Sequence, residues 1–128
     1  MPGAFAISER EEDVARREIE PQSMAKHCNE ALILAILSGG EKHGYQLALE
    51  IESRSGGFFT FNHGTLYPIL HKLEKEGLIK GKWKREGPKR KRKIYVLTPQ
   101  GRRHAAWQRD AWRRFCDSFF EIVEERET

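Results

Sequence analysis

Between Asn62 and Gly77, Leu66, Leu70 and Leu73 recur at i, i+4 and i+7, while Thr65, His71, Lys72 and Lys75 turn the other way. That spacing predicts an amphipathic helix with a leucine stripe against a core. Asn62 or Thr65 supplies its N-cap. Pro68 lacks an N–H and belongs in the first turn, or just beyond it with a local kink. Gly77 ends the helix in the left-handed conformation that glycine adopts with least strain.

Two more helices are predicted upstream. Cys28 to Ser38 is apolar on nearly every side at Ala31, Leu32, Ile33, Leu34, Ala35, Ile36 and Leu37, the pattern of a central helix. From Gly44 to Arg54, Tyr45, Leu47, Ala48, Leu49 and Ile51 cover a broad inner face. Both helices run into "SGG", at 38–40 and 55–57. Further back, Ser8 with Glu11 and Glu12 caps a short charged helix through about Ile19, anchored by Val14 and Ile7 and ended by Pro21. So sparse a face has no core of its own, and packing on a neighbour and fraying as an extension both stay open.

Beyond Gly77 the pattern changes. "LIKGKWKR" (78–85) and "RKIYVL" (92–97) have strand composition, and the "EGPKRK" between them, with Gly87 and Pro88, is hairpin-loop chemistry. Thr98 then caps a last helix with Pro99 at its first position, running to about Glu125. On that helix Trp107, Ala111, Trp112, Phe115, Cys116, Phe119, Phe120, Ile122 and Val123 spread over an arc of about 220°, against the roughly 100° that packing on one core needs. A partner is expected to cover the remainder.

Charge adds a location. The 128 residues carry a net +4, yet the window from Lys80 to Lys93 holds nine basic residues against one acid, Glu86. Such a concentration suits a polyanion, since each neutralised phosphate releases counterions; nucleic acid is the first expectation and an anionic membrane surface the second. The longest apolar stretch, "ALILAIL" (31–37), is far short of the roughly 20 residues that span a bilayer. The acidic N-terminus reads as neither a secretory signal nor a transit peptide, so a cytoplasmic location is expected. Cys28 and Cys116 have no CxxC spacing and read as buried thiols of a reducing compartment.

No nucleophile with a partner, carboxylate pair, phosphate loop or metal-ligand spacing stands out, so neither enzymatic activity nor a cofactor or metal is expected. The scattered His27, His43, His63, His71 and His104 with the two cysteines leave a metal- or redox-sensing regulator open. Three helices, a hairpin and a long helix compose a mainly α fold in which the second and third helices form a helix-turn-helix and the hairpin its wing. The helix after Asn62 would enter a major groove, and the basic hairpin would reach backbone or minor groove. So small a domain is expected to act as a two-fold dimer on a roughly palindromic site. A protein-interaction winged helix that never holds DNA is the alternative.

The residues from about Ala31 to Trp112 resemble the PadR-like transcriptional regulators. The resemblance rests on His43-Gly44-Tyr45, on Gly64-Thr65-Leu66-Tyr67-Pro68, on Gly77-Leu78-Ile79 with Trp83, and on Tyr95 through Leu97-Thr98-Pro99 and Gly101. It implies a winged helix-turn-helix repressor, a homodimer formed through the C-terminal helix, and release from DNA by a small aromatic or amphipathic effector. The segment Gly64 to Lys72 would be the recognition helix. Two departures stand out: family wings commonly read "GGRPRKYY", whereas "EGPKRKRKIYV" adds charge and puts Ile94 in place of the first Tyr, and the single helix after Thr98 matches the family's short branch.

The expected organisation is an N-terminal extension over 1–24, a DNA-binding domain over 25–98 and a dimerisation helix over 99–128. The candidate recognition-helix residues are Asn62, His63, Gly64, Thr65, Tyr67, Pro68, His71 and Lys72. Those of the wing are Lys84, Arg85, Lys89, Arg90, Lys91, Arg92 and Lys93. Tyr45 is a candidate backbone contact, with packing as the alternative; Tyr67 is either a phosphate ligand or a core aromatic with a wet edge. Trp107, Ala111, Trp112, Phe115, Phe119 and Ile122 are the candidate dimer face or effector-pocket wall.

Overall fold

The computed structural model describes residues 28–124, in the order α1 (Asn29–Leu37), β1 (Lys42–His43), α2 (Gly44–Arg54), α3 (His63–Lys75), β2 (Ile79–Arg85), β3 (Lys91–Leu97) and α4 (Pro99–Val123). The short helix expected over Ser8 to Ile19 lies outside the described residues.

The core forms where the apolar periodicities meet. Ile33, Leu34 and Leu37 of α1, Leu47 and Ile51 of α2, and Leu66, Leu70 and Leu73 of α3 are buried together with Leu78, just before β2, and with Ile79, Tyr95 and Leu97 of the sheet. The leucine stripe of α3 is therefore inward as predicted. Asn62 is its N-cap, its Oδ1 accepting from the Thr65 N–H at 2.9 Å. Pro68 sits in the second turn, beyond the tolerant first one, so the helix forgoes the hydrogen bond that residue 68 would donate to the Gly64 carbonyl. At the far end Gly77 takes φ 76°, and the Leu78 N–H reaches back to the Leu73 carbonyl at 3.0 Å, reversing the chain into β2.

The sheet has one strand more than the predicted hairpin. β1 pairs antiparallel with β3 through Lys42 opposite Tyr95 and His43 opposite Ile94, giving the order β1-β3-β2. β2 and β3 pair from Ile79 opposite Leu97 to Arg85 opposite Lys91. The added strand ties the start of α2 to the base of the hairpin, so the His43-Gly44-Tyr45 corner is held beside the wing.

α4 begins as predicted, with Thr98 Oγ1 accepting from the Gly101 N–H at 2.9 Å and Pro99 at the first position, and it ends at Val123. Only Gly101 and Ala105 of it are buried. Its aromatic half leaves the domain, with Trp107 65 %, Phe115 61 % and Ile122 83 % exposed. Cys116 is exposed too, contrary to the expectation of two buried thiols, because it lies on that unsupported half. Cys28 is half-buried, and burial pushes its thiol up from the ordinary value.

Candidate nucleic-acid interface

α3 and the hairpin enclose a groove of about 480 Å³, lined by His43, Gly44, Tyr45, Tyr67, His71, Trp83, Arg92, Lys93 and Tyr95. Five of these, Tyr45, Tyr67, His71, Arg92 and Lys93, were singled out in the sequence from three separate segments. The other side-chain walls, His43, Trp83 and Tyr95, belong to the motifs that carry the family resemblance but not to the candidate DNA contacts. Their alignment depends on β1 pairing with β3, which a two-residue strand does not announce.

Close packing sets the shape of the groove. The Tyr67 ring and hydroxyl lie over Gly44, where a β-carbon would stand 3.3 Å from both Cε1 and Oη. The His63 ring stacks parallel to that of Tyr67, centroids 5.7 Å apart. Tyr67 is thus half-buried against the core with its hydroxyl toward the groove. Tyr45 is 59 % exposed, so it is open to the groove rather than packed. Trp83, opposite Lys93 on the sheet, is 69 % exposed.

The basic run of the hairpin divides by partner. Lys93 Nζ lies 3.2 Å from Glu74 Oε1 and 5.4 Å above the centre of the Tyr95 ring. It crosses β2 where Gly81 has no side chain to obstruct it, and the second Glu74 oxygen accepts from the Gly81 N–H at 3.3 Å. Arg92 Nε and His43 Nε2 both meet Glu86, at 3.5 and 3.0 Å. Lys84 meets Glu41 at 3.6 Å. Arg85, Lys89, Arg90 and Lys91 make no ion pair among the described residues, and they stand around a turn where the Glu86 N–H donates to the Arg90 carbonyl at 2.7 Å.

Along α3 the exposed positions Gly64, Pro68 and His71 form an outward stripe at i, i+4, i+7, with two small side chains that let a partner approach the backbone closely. Thr65 is half-buried and tied to Asn62 Oδ1 by its hydroxyl at 3.1 Å. Lys72 points away from the groove, pairing with Glu30 at 3.3 Å and Glu76 at 3.9 Å.

A second surface runs along α4, where Trp107, Ala111, Phe115, Phe119 and Ile122 line a shallow trough of about 670 Å³ edged by Asp110 and Arg114. Trp112 is turned aside, half-buried, and meets Phe115 edge-on at 5.6 Å. Among the described residues no three His, Cys, Asp or Glu side chains gather as metal ligands, and no helix is long and apolar enough to cross a membrane.

Comparison with known proteins agrees with this geometry. The family model described as "Transcriptional regulator PadR-like family" matches residues 33–106. The "Negative transcriptional regulator PadR" of Bacillus subtilis is 36 % identical over 70 residues, covering 55 % of this chain; the chain spans only 38 % of that relative's length. A PadR-like transcriptional regulator from Bacillus cereus superposes with a TM-score of 0.72 at 29 % identity, covering 81 % of this chain and 99 % of that one. The structure of Bacillus subtilis PadR in complex with operator DNA superposes with a TM-score of 0.56 at 26 % identity, covering 77 % of this chain and 48 % of that one.

Proposed function

Because the chain belongs to the PadR-like family of transcriptional regulators, we propose that it binds duplex DNA sequence-specifically, as a homodimer on an inverted repeat, and represses transcription from that site. The observation that carries the reading is the groove between α3 and the hairpin, where His43, Tyr45, Tyr67, His71, Arg92 and Lys93 converge beside the basic turn that carries Lys89, Arg90 and Lys91. Phenol, imidazole, guanidinium and ammonium donors on a concave wall suit a sugar-phosphate strand. The Gly64-Pro68-His71 stripe suits base edges in a major groove. In this assignment Tyr45 and Tyr67 position the backbone, His71 reads sequence, and Lys89 to Lys91 hold phosphates across the wing. The similarity to Bacillus subtilis PadR, whose structure was solved in complex with operator DNA, supports duplex DNA as the partner.

The winged domain ends at Thr98, and α4 is the dimerisation helix. Burying Trp107, Phe115, Phe119 and Ile122 at roughly 2 kcal/mol each gives a driving force comparable to the association cost. A small aromatic or amphipathic effector would enter between the paired helices, against Trp107 and Phe115, and release the operator by changing the spacing of the two winged domains.

Selection of bound sequences from a random duplex pool tests the function. Enrichment of an inverted repeat, with affinity falling steeply as salt rises, is expected; equal affinity for scrambled duplex overturns the reading. The selected operator then serves to screen small aromatic compounds for release.

A further inference from the structure

Resting on the DNA-binding reading above, we propose that His43 and Arg92 form a backbone-phosphate site that the Glu86 carboxylate occupies in the free protein, and that the duplex must displace Glu86 to bind. Glu86 is the one acid between Lys80 and Lys93, and it stands at the start of the turn of the hairpin. Its two oxygens are used separately: Oε1 lies 3.0 Å from His43 Nε2 and Oε2 lies 3.5 Å from Arg92 Nε. A carboxylate bridging two donors in this way presents the same pair of anionic acceptors as the two non-bridging oxygens of a phosphodiester. The site is built on the protein side. The His43 side chain is only 14 % exposed. Its backbone N–H is fixed by Gln46 Oε1 at 2.9 Å, and it is held in register opposite Ile94 of β3.

Both donors also line the groove that the proposal assigns to a DNA strand. The nearby Lys84 and Lys93 are taken up by Glu41 and Glu74, so neither neutralises Glu86. A strand entering the groove would therefore bring phosphate against a carboxylate. Glu86 is 40 % exposed, so it can swing into solvent without leaving a buried charge. The latch sets a threshold that any duplex must overcome, independent of sequence.

The test measures dissociation constants of the full chain and its variants for a selected operator and for scrambled duplex. Glu86→Gln, which has no carboxylate to bridge the two donors, is expected to tighten binding to both duplexes by about fivefold, the scale of one half-exposed ion pair. Glu86→Asp keeps the charge but is one methylene too short to bridge, and is expected to recover part of that gain. In an Arg92→Gln background the gain from Glu86→Gln should shrink below about twofold, because one side of the phosphate site is missing. Nitrogen NMR of the His43 ring gives a readout on the protein itself: adding operator to the unaltered chain should move Nε2 away from its Glu86-bound position. Unchanged or weaker binding by Glu86→Gln overturns the latch, as does an equal gain in the Arg92→Gln background, which would mean simple charge repulsion at a distance. If the unaltered chain bound no duplex at all, the DNA-binding reading itself would fail; if it bound normally with no effect at Glu86, only this inference would.

Discussion

Gly101 packs directly against the carbonyl group of Leu78, so closely that a β-carbon at 101 would overlap the Leu78 oxygen and carbonyl carbon. The same oxygen accepts from the Thr98 N–H at 3.1 Å, and the Thr98 hydroxyl lies 2.7 Å from the Gly77 carbonyl. The end of α3, the start of β2 and the first turn of α4 therefore meet in one junction. Any partner that grips α4 fixes the winged domain through it. Gly101→Ala should destabilise the fold by about 1–3 kcal/mol, since the obstacle is backbone and cannot rotate aside. Urea unfolding followed by tryptophan fluorescence measures the effect; an unchanged midpoint would mean that the junction yields.

The exposed aromatics of α4 give the next prediction. Phe115 is 61 % exposed in the single chain and lies mid-trough between Trp107 and Ile122. Phe115→Glu would place a charge at the centre of the proposed interface without touching the winged core. The dimer dissociation constant should rise at least about a hundredfold, with the unfolding midpoint of the monomer preserved. Sedimentation equilibrium distinguishes this from a face that merely sits in solvent.

Wing and helix should separate in their effects on DNA. Replacing Lys89, Arg90 and Lys91 by glutamine removes three cations that make no ion pair among the described residues, and the log–log salt slope should flatten by about 0.9 for each phosphate no longer neutralised. Affinity should fall alike for operator and scrambled duplex. His71→Ala should instead leave the slope nearly unchanged and relax preference at one position of each half-site, by about 1–3 kcal/mol. Lys72→Gln, because Lys72 pairs with Glu30 rather than facing the groove, should alter neither quantity much.

Much of the fold was legible because it rests on long periodicities. The Leu66-Leu70-Leu73 stripe and the two hairpin strands each repeat a signal over several residues, and the Asn62 and Thr98 caps mark where two of the helices begin. β1 was not legible: Lys42 and His43 are two polar residues with no alternation to read, and only their pairing with Tyr95 and Ile94 makes them a strand. That omission concealed His43 as a wall of the groove. Direction was the other gap. Helical geometry puts Lys72 outward, but only the packing of α1 brings Glu30 to it. The basic run likewise looks uniform along the chain, while strand alternation and the open space at Gly81 send Lys93 to Glu74 and Arg92 to Glu86.

Tyr95 ties the groove to the stability of the fold at high pH. Burial, above all, pushes its phenol up from the ordinary value of 10.0; the Lys93 ammonium pulls it down, and the Glu74 carboxylate adds to the rise. The folded protein thus favours the neutral ring, whereas the unfolded chain ionises near about 10. The resulting stabilisation is fully present below that pH and is lost as pH rises through the higher folded value. Tyr95→Phe keeps the buried ring and removes the proton. Measured by urea unfolding, the stability difference between the native chain and Tyr95→Phe should be constant from about pH 7 to 9 and shift in favour of the variant above about pH 10. Taking the difference cancels the lysines, which titrate in both proteins, so a difference that stayed flat to about pH 11 would show that the Tyr95 hydroxyl is already open to solvent.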